Sequence, residues 1–279
     1  LQHLNHYIKT IMDKGKSRHI DTQHIKTYAS YLKSKNHSKS TIEQYSSILR
    51  VFLSSHSGEV RRITTDQIVE YISRLKSRSS MAQNAGAIKH FFCHVMGQPN
   101  KFARIPYPKK EKRLPKILST QIVISRLRAI KNLKHRAMLS LLYSCGLRRQ
   151  ELLNLRISNV DSSRMVLSIK QSKGAKDRDV PISTQMIELL REYFVEYRPK
   201  DFLFNGQNGG MYSATSLGKL CHLHMKCNPH ILRHSYATHL AERNLELGTL
   251  QKRLGHNDPR TTMVYHHVAM EATPLLVSI

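Results

Sequence analysis

Apolar positions recur at intervals of three and four along most of the chain, and each such run predicts an amphipathic helix. Leu4, Ile8, Ile11 and Met12 mark a short one within residues 1–14, and Ile25, Tyr28, Ala29 and Leu32 a second. Ser40-Thr41-Ile42-Glu43 reads as a capping box, followed by the stripe Tyr45, Ile48, Leu49, Phe52 and Leu53. Thr64-Thr65-Asp66-Gln67 opens a further helix carrying Ile68, Tyr71, Ile72 and Leu75. Another runs from about Ser80 to Val95 through Ala85, Ile88, Phe91 and Phe92. Helices of this size can bury a core of their own as a small bundle.

The periodicity stops over residues 97–116, where Gly97, Pro99, Pro106, Pro108 and Pro115 exclude a continuous helix. Seven Lys or Arg lie between Lys101 and Lys116, with Glu111 the only acid, so the stretch reads as a basic linker. Fully extended it reaches about 60 Å, enough to place two domains on opposite sides of a DNA duplex. Beyond it, Ser119 caps a helix, Arg136 to Cys145 form a second that Gly146 ends, and Gly146 to Glu151 open a third through Leu152, Leu153 and Leu155. Met165, Leu167 and Ile169 alternate as in a strand, Lys173 to Lys176 form a turn, and Asp179 to Ile182 return, with Pro181 marking a sheet edge. Helical spacing resumes at about 184–197, 213–226, 230–243, 246–254 and 259–270. The prediction is a mainly α protein with a small antiparallel β-sheet. It comprises a helical domain over residues 1–97, a linker over 98–116 and an α+β domain over 117–279 ending in an apolar tail.

Charge narrows the partner. The 279 residues hold 45 Lys and Arg against 19 acids, a net charge of +26, which is the footprint of a polyanion such as nucleic acid. Both halves share the surplus, so the partner touches both. There is no 18-residue apolar run and no secretory h-region, which argues against a membrane partner. The four cysteines, Cys93, Cys145, Cys221 and Cys227, show neither a C-x-x-C pair nor zinc spacing. They read as reduced, buried side chains of a cytoplasmic protein.

The candidate chemistry lies near the C-terminus. His230 and Arg233 fall one turn apart on one helix face, a pairing that repels a metal cation but suits phosphate. His230 and His234 have i, i+4 spacing, but Arg233 between them and the missing carboxylate argue against zinc. Tyr265, nine residues after His256, is a candidate nucleophile. No G-x-x-x-x-G-K-[ST] motif is present, and neither a cofactor nor a metal is expected.

Taken together, GLRRQELLNL, SKGAKDRDVPI, HILRHSYATHL and LGHNDPRTTMVYHHV resemble the tyrosine recombinases, the phage integrase or Xer-type family. The resemblance covers most of residues 116–271, while the N-terminal half resembles the family's helical core-binding domain in pattern only. It implies a site-specific recombinase that cuts and rejoins DNA through a 3′-phosphotyrosyl intermediate, with no cofactor. It implies Arg148 and Arg233 on the phosphate oxygens, His230 assisting the nucleophile Tyr265, Lys173 as general acid and His256 hydrogen-bonded to the phosphate. Glu151 matches an orienting position. Lys173 is preferred to Lys176, Arg148 to Arg149, and His234 and His239 read as structural. The implied partners are double-stranded DNA sites and three further copies of the chain in a homotetramer docked through the apolar tail, with accessory DNA-bending or activating proteins. The implied location is the prokaryotic cytoplasm, on DNA. The competing readings are a catalytically silent DNA-binding protein on the same scaffold and a type IB topoisomerase-like enzyme.

The charge surplus carries its own test. DNA affinity, measured by titration at increasing salt, should fall steeply and log-linearly, as phosphate-dominated binding does; a flat response would contradict the basic-surface reading.

Overall fold

The computed structural model describes residues 22–102, 105, 115–170 and 177–272. The helix expected within residues 1–14, most of the basic linker, the Lys173–Lys176 turn and the apolar tail lie outside them. The chain divides into two compact units, Leu1–Lys112 and Arg113–Ile279. Among the described residues no helix is long and apolar enough to cross a membrane.

The first unit contains α1 over residues 22–34, α2 (Lys39–Ser54), α3 (Thr65–Ser73) and α4 (Arg78–His94). Thr64–Gln67 opens α3 as expected, and does so as a capping box with both of its reciprocal bonds. The box expected at Ser40 does not form: α2 begins earlier, capped by Ser38, whose Oγ accepts from Thr41 N at 3.2 Å. The physical reason is that Ser38 has extended backbone angles while Ser40 is already helical. The predicted stripes meet in one core of Tyr28, Leu32, Leu49, Phe52, Ile68, Ile88, Phe91 and Phe92. Burying each such aromatic or aliphatic side chain contributes about 1.5–3 kcal/mol. Tyr28 is fully buried, and its hydroxyl is satisfied there by donating to Ala87 O at 2.9 Å.

The second unit contains α5 (Thr120–Arg128), α6 (Leu133–Ser144), α7 (Arg149–Asn154), β1 (Val160–Asp161), β2 (Val166–Ile169) and β3 (Arg178–Pro181). It continues with α8 (Thr184–Tyr197), α9 (Ala214–Met225), α10 (Pro229–Glu242), α11 (Leu247–Leu254) and α12 (Pro259–Ala272). The strands form an antiparallel sheet in the order β1-β2-β3, with Leu167 opposite Val180, and Pro181 lies on an edge strand. β1 was not foreseen, since two residues are too few for a period to register. The mainly helical class with a small antiparallel sheet holds. Leu139, Leu142, Leu152, Leu167, Val180, Leu217 and Leu232 belong to its main core. A second cluster joins Tyr236, Ala237, Leu250, Leu254 and Tyr265. α10 is buried on most of its faces, from Leu232 through Ala241, which fits its position between these two clusters. Cys145, Cys221 and Cys227 are buried free thiols, and Cys93 is half-buried.

One group in the first unit makes stability depend on pH. His90 packs against Tyr28, Tyr31, Tyr45, His37 and His94, and its Nδ1 is buried with no hydrogen-bond partner among the described residues. Burial, then the charges of His94 and His37, lower its pKa from the ordinary 6.5. The unfolded chain therefore takes up this proton first as pH falls. The contribution is complete above about pH 6.5 and is lost below it, toward the folded value. Thermal unfolding from about pH 7.5 to about pH 5 should show His90→Phe losing less Tm than the parent; parallel curves would exclude this assignment.

Candidate active site

Two helix ends made by glycine build the site. α6 ends at Gly146 (φ 56°), where a Cβ would stand 2.2 Å from the Tyr236 ring. The chain turns there and places Arg148 at the N-cap of α7. α11 ends at Gly255 (φ 63°), where a Cβ would meet the Arg178 guanidinium at 2.8 Å. The last carbonyls of a helix have no partner within it. Here three in succession each accept from a different arginine. Arg178 Nε donates to Arg253 O at 2.9 Å, Arg233 Nη2 to Leu254 O at 2.5 Å and Arg148 Nη2 to Gly255 O at 2.6 Å. Gly146 O accepts from Arg233 Nη1 at 2.6 Å.

The same arginines converge on Glu151. Its carboxylate accepts from Arg148 N (2.8 Å), Arg148 Nη1 (2.6 Å), Arg178 Nη1 (2.9 Å) and Arg178 Nη2 (2.8 Å), and lies 3.8 Å from Arg233 Nη1. Burial pushes the Glu151 pKa up, but the Arg178 and Arg148 contacts outweigh it and hold the carboxyl at about 2. Burial and the neighbouring Arg148 lower Arg233 to about 10, so it stays charged at neutral pH. Three guanidiniums against one carboxylate leave two positive charges in excess. Arg148 is the most open of the three, with 34% of its side chain exposed against 4% for Arg233.

His256 follows Gly255 directly. Its Nε2 lies 3.0 Å from Arg233 Nη2 and its Nδ1 2.9 Å from Thr262 Oγ1. A guanidinium only donates, so Nε2 accepts and the ring proton sits on Nδ1. Burial, then Arg233, Arg148 and Arg178, push its pKa down to about 4, which keeps it neutral at pH 7. α12 carries Thr262 and, one turn on, Tyr265, whose ring stacks on His256 at 6.2 Å. Tyr265 is buried, and its Oη lies 2.8 Å from His234 Nδ1. Burial raises the phenol pKa, with Arg233 and Arg148 pulling the other way. Burial, His230 and Arg233 lower that of His234. A protonated phenol therefore donates to a neutral imidazole.

The structure thus brings Arg148, Arg233, His256 and Tyr265 together with Glu151. His230 lies one turn before Arg233 and is exposed. Desolvation by the surrounding protein, then Arg149, Arg233 and Arg148, lower its pKa. Lys173 and Lys176 lie outside the described residues. Three contributors escaped the sequence reading: Arg178, Thr262 and His234. His234 was read as structural, but its Nδ1 holds the Tyr265 hydroxyl. Arg178 had a faint signal, since the two-residue period of β3 puts it on the same face as the buried Val180 and Ile182. His239, by contrast, bonds Tyr143 Oη at 2.8 Å away from these residues. Among the described residues no group of three His, Cys, Asp or Glu side chains could hold a metal ion.

Comparison with known proteins places this geometry. Residues 110–272 match the phage integrase family, and residues 28–101 match the phage integrase N-terminal SAM-like domain. A tyrosine recombinase of Pseudothermotoga lettingae is 32% identical over 78% of this chain and 82% of its own length. The tyrosine recombinase XerA of Thermococcus onnurineus is 31% identical over 88% of this chain and 91% of its own. In fold, the chain is similar to a XerH site-specific recombinase crystallised with palindromic difH substrate as a post-cleavage complex. That match has a TM-score of 0.68 and 22% identity, over 87% of this chain and 82% of that one.

The two glycines can be tested directly. Gly146→Ala should destabilise the fold by about 2–4 kcal/mol, combining left-handed strain with a clash against a packed ring. Gly255→Ala should cost about 1–2 kcal/mol because the arginine it meets can yield. Denaturant unfolding of both variants measures this, and equal stability of either variant and the parent would refute it.

Proposed function

This chain belongs to the phage integrase family of tyrosine site-specific recombinases, and we propose that Tyr265 is the nucleophile that cuts one DNA strand at a time. The observation that carries this reading is the Tyr265 hydroxyl, held 2.8 Å from His234 Nδ1 on α12, which packs against α10, the helix of Arg233, and against α11. The phenol oxygen attacks the scissile phosphorus and the P–O5′ bond breaks. The result is a 3′-phosphotyrosyl link and a free 5′-hydroxyl. A 5′-hydroxyl from the partner strand reverses the step, so the bond energy is conserved in the covalent intermediate.

The transition state carries extra negative charge on the non-bridging oxygens. The excess of two positive charges around Glu151 matches it, and Arg148 and Arg233 are the groups assigned to those oxygens. Neutral His256 is assigned to the phosphate beside them, a role in which its ring proton moves to Nε2 and Nδ1 accepts from the Thr262 hydroxyl. His234 keeps the phenol in place at rest. His230, open to solvent and neutral at pH 7, is the assigned base once the phosphate is bound. Lys173 is the assigned general acid for the 5′-oxygen. The helical first unit is assigned to core-site binding, joined to the catalytic unit by the basic linker. Each strand cut consumes one tyrosine, so exchanging both strands of two duplexes calls for four copies, and a homotetramer on two double-stranded sites is the proposed assembly. A silent DNA-binding relative would have no need to keep a phenol beside an anion site.

Nicked suicide duplexes test the assignment. Tyr265→Phe should form no covalent adduct while keeping its DNA affinity, and Arg148→Ala should cleave about 100-fold or more slowly. An adduct that persists in Tyr265→Phe would show that another group is the nucleophile.

A further inference from the structure

Arg178 is assigned no contact with DNA above, yet it bonds both Glu151 and the C-terminus of α11. Its Nε donates to Arg253 O at 2.9 Å, and Nη1 and Nη2 donate to the two oxygens of Glu151 at 2.9 and 2.8 Å. Each of its three nitrogens therefore serves a protein acceptor, and 7% of its side chain is exposed. It leaves little edge for a phosphate. What it does is join three separate segments: β3, the start of α7 that carries Arg148 and Glu151, and the end of α11 that leads into His256.

On the functional reading above, on which this inference rests, we propose that Arg178 is a positioning residue for strand cleavage. By fixing the Glu151 carboxylate and the α11 C-terminus together, it holds Arg148 and His256 at the separation a transition-state phosphate requires. The fork is essential to the role. A guanidinium donates along two parallel directions to a carboxylate and along a third to the helix end, whereas an ammonium is a single point charge on a flexible stem.

Without Arg178 the groups still facing Glu151 include Arg148 with its own backbone N–H at the start of α7 and Arg233 from α10. Neutral His256 and the Tyr265 phenol stand behind those arginines. Glu151 is then drawn toward Arg148, the most open guanidinium, and away from the arrangement that presents it to DNA. Burial already pushes the Glu151 carboxyl up, and the Arg178 bonds are the largest influence opposing it. Removing them weakens that opposition, so the carboxyl titrates higher than in the parent, where it is held at about 2.

The test uses the full chain and a nicked suicide duplex carrying a site that the parent cleaves. Adduct formation is followed in single turnover at saturating DNA across pH, with affinity measured separately. Arg178→Gln should cleave about 100-fold more slowly with its Kd for DNA unchanged, since a misplacement of about 1 Å costs that much. Its rate should also fall more steeply with falling pH than that of the parent, whose own acid limb is the protonation of His230. Arg178→Lys, which keeps the charge and not the fork, should remain well below the parent rate. If Arg178→Gln does not fold, Arg178→Lys decides the matter. A parent-like rate in the variant that decides, a loss confined to affinity, or an unchanged pH profile in Arg178→Gln would each overturn the proposal. Failure of the functional reading shows separately, as a parent adduct that Tyr265→Phe still forms, and this inference would fall with it.

Discussion

Three guanidiniums share the carboxylate of Glu151, and the rest of the catalytic unit's chemistry depends on that sharing. Two like charges about 5 Å apart at an effective dielectric of about 20 repel by about 3 kcal/mol. Arg148, Arg178 and Arg233 can therefore sit together only if something offsets their repulsion and their loss of water. Glu151 does so from one side. The C-terminus of α11 does so from the other, through the carbonyls of Arg253, Leu254 and Gly255. The negative end of a helix dipole lies where those carbonyls point, which adds to the effect. Removing one partner from such a buried arrangement typically costs about 3–5 kcal/mol, so site and fold stability are coupled here.

The cluster is deliberately left unbalanced. One carboxylate against three guanidiniums stores positive charge in a place where water is largely excluded, and a phosphodiester gaining charge during attack is the species that benefits. His256 remains neutral because burial and then the same cations lower its pKa, which leaves it as a hydrogen-bonding group and not a fourth charge. Tyr265 is kept protonated by burial, while Arg233 and Arg148 pull its pKa the other way. On the proposed reading Tyr265 is thus inert until it leaves His234 and meets a phosphate, whose arrival also supplies the anion the arginines lack.

Much of the fold was legible in the chain. The stripes ending in Phe52, Ile72 and Phe92 do meet in one core, because a helix in a small bundle must bury a single face and the spacing records which one. The exceptions are instructive. The cap of α2 moved from Ser40 to Ser38 because several serines near a helix start are equally good candidates and only the backbone angles choose among them. Most of α10 is buried, so its apolar residues keep to no single face, and neither the pattern nor composition could have said that Ser235, Thr238 and His239 lie inside. Ser235 and His239 have partners there that sequence separation hides: Leu118 N–H donates to Ser235 Oγ at 2.8 Å, and Tyr143 Oη lies 2.8 Å from His239 Nδ1.

The site divides the same way. Arg148, Glu151, His230, Arg233, His256 and Tyr265 could be picked out by residue type, spacing and family resemblance, because the chemistry of a phosphate site needs those groups and local motifs carry them. Their helical settings were legible too, since glycine ends and proline starts are local signals. What the chain could not reveal is which of its many cations is buried. Arg178 sits in a run of charges, Lys176-Asp177-Arg178-Asp179, that reads as solvated, yet it lies under Gly255 with its fork on Glu151. Nor could it reveal that His234, not His230, holds the Tyr265 hydroxyl. Both facts depend on contacts between residues 27 and 31 positions apart, Glu151 with Arg178 and His234 with Tyr265. Sequence alone determined the elements and the kinds of reactive groups, because these follow from local periodicity and residue chemistry. Tertiary structure alone decided the partners of each charge, because burial and hydrogen-bond geometry arise only when distant segments pack together.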